Sequence, residues 1–344
     1  MHRTGILYAL ASAALFGISA PLAKMLLGGT SPWLLAGLLY LGSGLGLAIA
    51  RPFLPRDEAK LQRRDLPWLG AAIVSGGVIG PVLLMFGLAQ GAAGATSLLL
   101  NLESVLTLVL AWVVFRENVD QRLLVGAAAI VAGAVILSWP SGGATGTSLN
   151  STLLVAGACL AWAIDNNFTR KVSGADPVMI AMAKGLIAGV VNTAIALSTG
   201  AHFPDLGALI AAALLGFFSY GVSLTLFVLA LRHLGTARTG AYYASAPFIG
   251  AAAAILLLHE PLTLPFIAGG LLMAIGLYLH LTERHVHAHT HDELDHDHLH
   301  THDEHHQHAH GAGVPPEPHA HVHHHTRLIH KHRHYPDLHH RHTH

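Results

Sequence analysis

The sequence predicts an all-α integral membrane protein: ten transmembrane helices as two inverted five-helix repeats, plus a disordered C-terminal tail. Three observations lead there: apolar segments of membrane-spanning length, an alternation of basic and uncharged connections, and an internal repeat.

Of the 344 residues, 52% are hydrophobic and only 11% charged, against about 25% charged in a typical soluble domain. Ten apolar segments, each about 19–27 residues long, fill most of the chain before the tail, and each can cross a hydrocarbon core of roughly 30 Å. They run at about 5–27, 32–50, 66–89, 92–115, 121–139, 150–169, 176–198, 205–231, 236–258 and 263–283, with ends uncertain by a few residues. The apolar run after the basic N-terminus is too long for a signal peptide and more spans follow it, so it reads as an uncleaved first helix. The single cysteine, Cys159, excludes an internal disulfide. The internal HDEL at 291–294 is not C-terminal and is no retrieval signal.

Lys and Arg alternate from one connection to the next. Arg51, Arg56, Lys60, Arg63 and Arg64 fall between spans 2 and 3, Arg116 and Arg122 between 4 and 5, Arg170 and Lys171 between 6 and 7, and Arg232 and Arg238 between 8 and 9. The intervening connections carry neither residue. Basic loops stay on the cytoplasmic side, so both termini, and with them the tail, are expected in the cytoplasm of a multi-pass cell (inner) membrane protein.

The halves repeat. Residues 87–118 align without gaps on 230–261, which places Glu117 on Glu260; further on, Gly126 falls on Gly269, and a second match places Lys24 on Arg170. Each repeat holds an odd number of spans, so the two must insert in opposite orientations, a transporter architecture with its site near the midplane. The domains are therefore 1–140, 141–283 and the tail 284–344.

The small-residue-rich fourth span and its terminal Glu (Glu117, Glu260) resemble the EamA repeats of the drug/metabolite transporter superfamily. The resemblance covers about residues 5–283 and implies a ten-helix secondary transporter, usually an exporter of small solutes, without fixing the substrate. One departure stands out. The proline usual in the fourth helix is present as Pro247 in the second repeat, but the first repeat has Ser104.

A charge at the bilayer centre costs about 2.5–3.5 kcal/mol even on the lenient insertion scale, so each needs a reason. Glu103 lies mid-span with Asn101 nearby, Asp165 has Asn166 and Asn167 beside it, and Lys184 follows Pro177 in span 7. Lys184 is the cation at a depth to neutralise Glu103. Lys24 can snorkel to the interface. Tyr242 is a candidate cavity residue, although aromatics near interfaces are usually anchors. Pro21, Pro81 and Pro247 are candidate helix breaks whose freed carbonyls could serve a solute. Gly42/Gly46 and Gly185/Gly189 have spacing for close helix contact.

From position 285 the tail holds 24 histidines and eight carboxylates. Neutral imidazoles suit Ni, Co and Zn, and His285, His287, His289, His291, His296, His298, His300, His302, His305, His306, His308 and His310 form the densest run. The tail has too few apolar residues for a core and is expected to be disordered without metal. No catalytic metal spacing is present and nothing points to an enzyme or a nucleic-acid partner. The expected function is secondary export of a divalent transition metal, with protons as a candidate coupling ion on Glu103. The alternatives are a metabolite or amino-acid exporter with a metal-binding or regulatory tail, and a membrane-anchored metal store or sensor. The expected partners are the lipid bilayer, the solute or metal ion, and a second copy in a homodimer.

Overall fold

The computed structural model describes the backbone of residues 2–54, 61–113, 121–139, 148–172, 175–234 and 236–281, and in the tail 285–291, 294–300, 319–325 and 328–334. Arg56, Lys60, Arg116 and Glu117 lie outside the described residues. Described residues of the membrane part form fifteen α-helices: α1 (His2–Gly17), α2 (Ser19–Leu26), α3 (Pro32–Ala50), α4 (Leu66–Ala72), α5 (Gly80–Gln90), α6 (Ala93–Leu99), α7 (Leu102–Val113), α8 (Gln121–Ser138), α9 (Leu149–Val172), α10 (Pro177–Ser198), α11 (Leu206–Gly216), α12 (Ser223–Leu234), α13 (Thr236–Tyr243), α14 (Ala246–Leu258) and α15 (Leu264–Leu281).

Eight helices among the described residues are long and apolar enough to cross a membrane. Two of the ten expected spans fall outside that set for physical reasons. The last third of α9 carries Asp165, Arg170 and Lys171, and the ninth span is divided between α13 and α14, whose 13-residue apolar half is short.

Helix breaks follow the prolines closely. A proline has no N–H, so the carbonyl four residues earlier loses its helical donor. The α1–α2 break at Ile18 precedes Pro21, and Pro247 sits in the first turn of α14 just after the α13–α14 break. Pro81 follows a π-helical turn at Ile73–Ile79. In the fourth span Ser104 replaces the proline, yet the chain breaks between α6 and α7 all the same. There the Asn101 amide donates to the Leu98 carbonyl at 2.8 Å and the Ser104 hydroxyl donates to the Asn101 carbonyl at 2.7 Å. Side-chain hydrogen bonds thus do what the ring does in the other half. A second π-helical turn, Phe217–Val222, divides α11 from α12 with no proline to announce it.

The main packing pairs are α3 with α10, α8 with α15, α1 with α12, α5 with α9, α3 with α11 and α6 with α14. Glycines set how closely two of these approach. A Cβ on Gly44 would stand 2.5 Å from the Leu186 amide nitrogen, and one on Gly189 2.5 Å from that of Leu41. On the other pair, a Cβ on Gly276 would meet the Gly126 carbonyl at 2.5 Å and one on Gly133 the Gly269 carbonyl at 2.7 Å. In each pair late residues of one helix meet early residues of the other, so both pairs run antiparallel. The expected glycine spacing is used in a different register: Gly42 and Gly46 of α3 face Ala213 and Phe217, and it is Gly44 that meets Gly185.

The described tail segments are extended. Strands β1 (His285–His291) and β4 (Leu328–His334) pair antiparallel, as do β2 (Leu294–His300) and β3 (His319–His325). An alternating His-x-His pattern has the strand period of two, and ladder hydrogen bonds come from the backbone, which needs no apolar core to pair.

Candidate functional site

The breaks deliver polar groups to mid-span. Because the chain restarts after Asn101, Glu103 falls in the first turn of α7, where a carboxylate suits the positive end of the helix dipole. Helix α9 packs alongside α7, and the Asn166 Nδ2 donates to the Glu103 Oε1 at 2.7 Å. One residue earlier on α9, Asp165 takes the opposite partner. Its carboxylate accepts from the Lys184 Nζ of α10 at 2.6 Å to each oxygen, and from the Thr169 hydroxyl at 2.8 Å. Asp165 is 6% exposed and Lys184 7%. The expected cation for Glu103 is therefore already engaged: Lys184 neutralises Asp165. Sequence depth alone could not show this, since adjacent residues on a helix point about 100° apart.

A π-helical turn makes room for that ion pair. Gly76 lies against the Asp165 carboxylate so closely that any Cβ there would collide with it. The Gly76 carbonyl accepts from the Tyr40 hydroxyl at 2.9 Å and the Trp162 indole N–H at 3.0 Å. Gly77, whose carbonyl Pro81 deprives of its helical donor, accepts from the Asn192 amide at 3.2 Å. The carbonyls freed near Pro81 were candidates to serve a solute. Side chains of α3, α9 and α10 occupy them instead, because an unpaired carbonyl in a dry core costs too much to leave.

Aromatic rings from both halves line the same region. Phe16 packs at ring-centroid distances of 6.3 Å from Trp162, 5.9 Å from Tyr220 and 5.8 Å from Tyr243. Tyr40 meets Tyr220 at 5.5 Å, and Phe227 meets Tyr243 at 4.8 Å. Tyr242 stood as the candidate cavity tyrosine; the ring in this cluster is that of its neighbour Tyr243. Asn101 is 4% exposed and spends its amide on the α6–α7 break. Nothing in the sequence separates Tyr243 from Tyr242, because the turn at Ala244–Ser245 sets their register.

Among the described residues, no group of three or more His, Cys, Asp or Glu could hold a metal ion. In the tail the backbone register sets His285 opposite His334, His287 opposite His332 and His289 opposite His330, with His296, His298 and His300 opposite His323, His321 and His319; His291 faces Leu328. His302, His305, His306, His308 and His310 lie outside the described residues.

Known proteins place this arrangement. An uncharacterized transporter of Methanothermobacter thermautotrophicus is 28% identical over 281 residues, which is 77% of this chain and 82% of that protein. A probable amino-acid metabolite efflux pump of Salmonella typhimurium is 24% identical over 200 residues, 55% of this chain and 67% of the pump. A crystal structure superposes with a TM-score of 0.60 at 16% identity, covering 80% of this chain and 95% of that one, a likeness of fold alone. The model of the EamA-like transporter family matches twice, at residues 3–139 and 149–282, once over each half of the helical bundle. With its broken spans, paired halves and polar mid-span site, the chain belongs to the EamA-like transporter family.

Proposed function

We propose that the chain is a ten-helix secondary exporter of two inverted repeats that moves a small organic solute bearing an ammonium group by alternating access. The observation that carries this reading is the Glu103 carboxylate, hydrogen-bonded to the neutral Asn166 at 2.7 Å while the deep cation Lys184 is spent on Asp165. A carboxylate in the membrane interior whose partner is an amide attracts a cation. The Trp162 ring, one turn before Asn166 on α9, and the rings packed on it favour an organic one, since ring faces attract ammonium groups. Asp165 and Lys184 hold α9 and α10 in register and so position Asn166. The efflux of amino-acid metabolites named for the Salmonella relative fits an amine-bearing solute. Protonation of Glu103 is a natural release step, with the proton as coupling ion. The inverted arrangement is supported by the antiparallel α3–α10 and α8–α15 contacts, and the inward placement of both termini by the basic connections. Reporter fusions at Leu281 and near Gly143 are expected to report opposite sides of the membrane; the same side would contradict the topology.

A second reading rests on the tail. Its histidine density and the cross-strand register favour Ni, Co or Zn, because residues opposite each other in a ladder stand about 5 Å apart. We place such metal in the tail as a store or collector. The membrane part among its described residues lacks a ligand group for it, which weighs against metal as the cargo. Counterflow in proteoliposomes with radiolabelled amines, amino acids and Ni or Zn separates the readings. Amine exchange that persists after removal of residues 285–344 supports the first. Metal flux lost with that segment supports transport of metal fed by the tail, and metal binding without any flux supports a store.

A further inference from the structure

The connection between α5 and α6, residues 91–92 with the helix ends on either side, is gripped by two charged side chains that the solute site does not use. Lys24, at the end of α2, donates to three backbone carbonyls at the end of α5: Leu88 at 2.7 Å, Gly91 at 2.9 Å and Ala89 at 3.3 Å. The sequence suggested that this lysine snorkels to the interface; instead it folds onto the helix end, whose carbonyls have no helical donors and whose dipole favours a cation. On the other side Glu260 accepts from the amide nitrogens of Ala93 at 2.6 Å and Gly94 at 2.8 Å. These are charge-assisted bonds, stronger than neutral ones.

Two features make this grip a contact between halves. Glu260 belongs to the second match of the family model, whereas Lys24 and residues 88–94 belong to the first. The backbone preceding Glu260 is held in an unusual conformation: His259 has φ 54° and ψ 35°, left-handed for a residue with a side chain. Such strain persists only where surrounding contacts over-determine it and tends to gather at functional positions. It turns the chain sharply at the end of α14 and aims Glu260 at α6. Just inside, α6 lies against α14, where a Cβ on Gly250 would touch the Ser97 hydroxyl at 2.8 Å. Ser97 is buried, 1% exposed.

We propose that Lys24 and Glu260 form a latch that closes the bundle at the end away from the chain termini. Glu260 ties the second half to the α5–α6 connection, and Lys24 stiffens that connection so the tie transmits force. Releasing Glu260 lets α6 swing from α14 and admits water toward Ser97. The latch rests on the alternating-access reading, but its opening is read without any substrate.

The test uses the full chain in proteoliposomes, with Cys159→Ala removing the native thiol and Ser97→Cys as reporter. Reaction with a membrane-impermeant maleimide from the side opposite the termini is timed. Glu260→Gln is expected to speed labelling about tenfold or more, as loss of a charge-assisted pair of hydrogen bonds implies. Glu260→Asp is expected to fall between Gln and wild type, and Lys24→Met to speed labelling by a smaller factor. Unchanged labelling in a Glu260→Gln protein that elutes as a single folded species would overturn the latch. Should Glu260→Gln not fold, Lys24→Met takes its place: unchanged labelling in a Lys24→Met protein that elutes as a single folded species would equally overturn the latch. Faster labelling in a protein that exchanges no solute would keep the latch and remove the transport reading.

Discussion

Asp165 and Asn166 are neighbours on α9, and the regions they enter could hardly differ more. Asp165 is closed in: Lys184 and Thr169 saturate its oxygens and Gly76 presses against them. Asn166 is exposed, and holds out an amide to Glu103, a carboxylate that is only partly buried. One ionisable group has been neutralised permanently by the fold and the other left with a neutral partner. An intramembrane charge is a functional candidate by default, but the comparison adds a criterion: the charge that already owns a buried counter-ion builds the fold, and the one paired with an amide is the one we propose for cargo.

The sharpest way to break the comparison is to remove one partner of the closed pair. Asp165→Asn leaves Lys184 buried and uncompensated, which costs about 3–5 kcal/mol, so membrane abundance and thermal stability are expected to collapse. The doubly neutral Asp165→Asn/Lys184→Met protein is expected to regain abundance. Equal abundance of single and double variants would mean the pair holds nothing together. Gly76→Ala strikes the same region by sterics. A methyl group there drives into the Asp165 carboxylate, and overpacking of this kind costs about 1–3 kcal/mol, to be read as a lower unfolding temperature in detergent. A normal melting curve would show that α9 can yield.

The smallest effect on the membrane part is expected from the tail. Deleting 285–344 should leave the unfolding temperature of the bundle unchanged while abolishing binding of several Ni or Zn ions at pH 7.5, measured by calorimetry. Metal requires neutral imidazoles, and ordinary histidines titrate near pH 6.5. Binding by the full chain is therefore present above that pH and lost as pH falls through it. Undiminished heat at pH 5.5 would point to the carboxylates rather than the histidines.

Much of this molecule could be read from its sequence, and the failures have a common cause. Apolar length and the internal repeat are one-dimensional signals, and they yielded the helical bundle and its two matched halves. Glu103, Asp165, Asn166 and Lys184 were visible because ionisable groups and amides are conspicuous in oil. Which of them pair was not visible, since pairing depends on rotation about helix axes that broken spans reset. The register of α3 against α10 through Gly44, the choice of Tyr243 over Tyr242 and the proline-free turn at Phe217–Val222 were hidden for the same reason. Asn101 shows the limit well: its amide replaces a missing proline by bonding Leu98, a role no spacing rule reveals.

The measurement closest to the central claim is solute flux through Glu103→Gln set beside its membrane abundance. The change keeps size and leaves the Asn166 amide an oxygen to donate to, so abundance is expected to match wild type. Flux is expected to fall at least a hundredfold, because a neutral amide no longer supplies the charge that holds an ammonium group, a loss of about 3 kcal/mol. Wild-type flux at wild-type abundance would contradict the account.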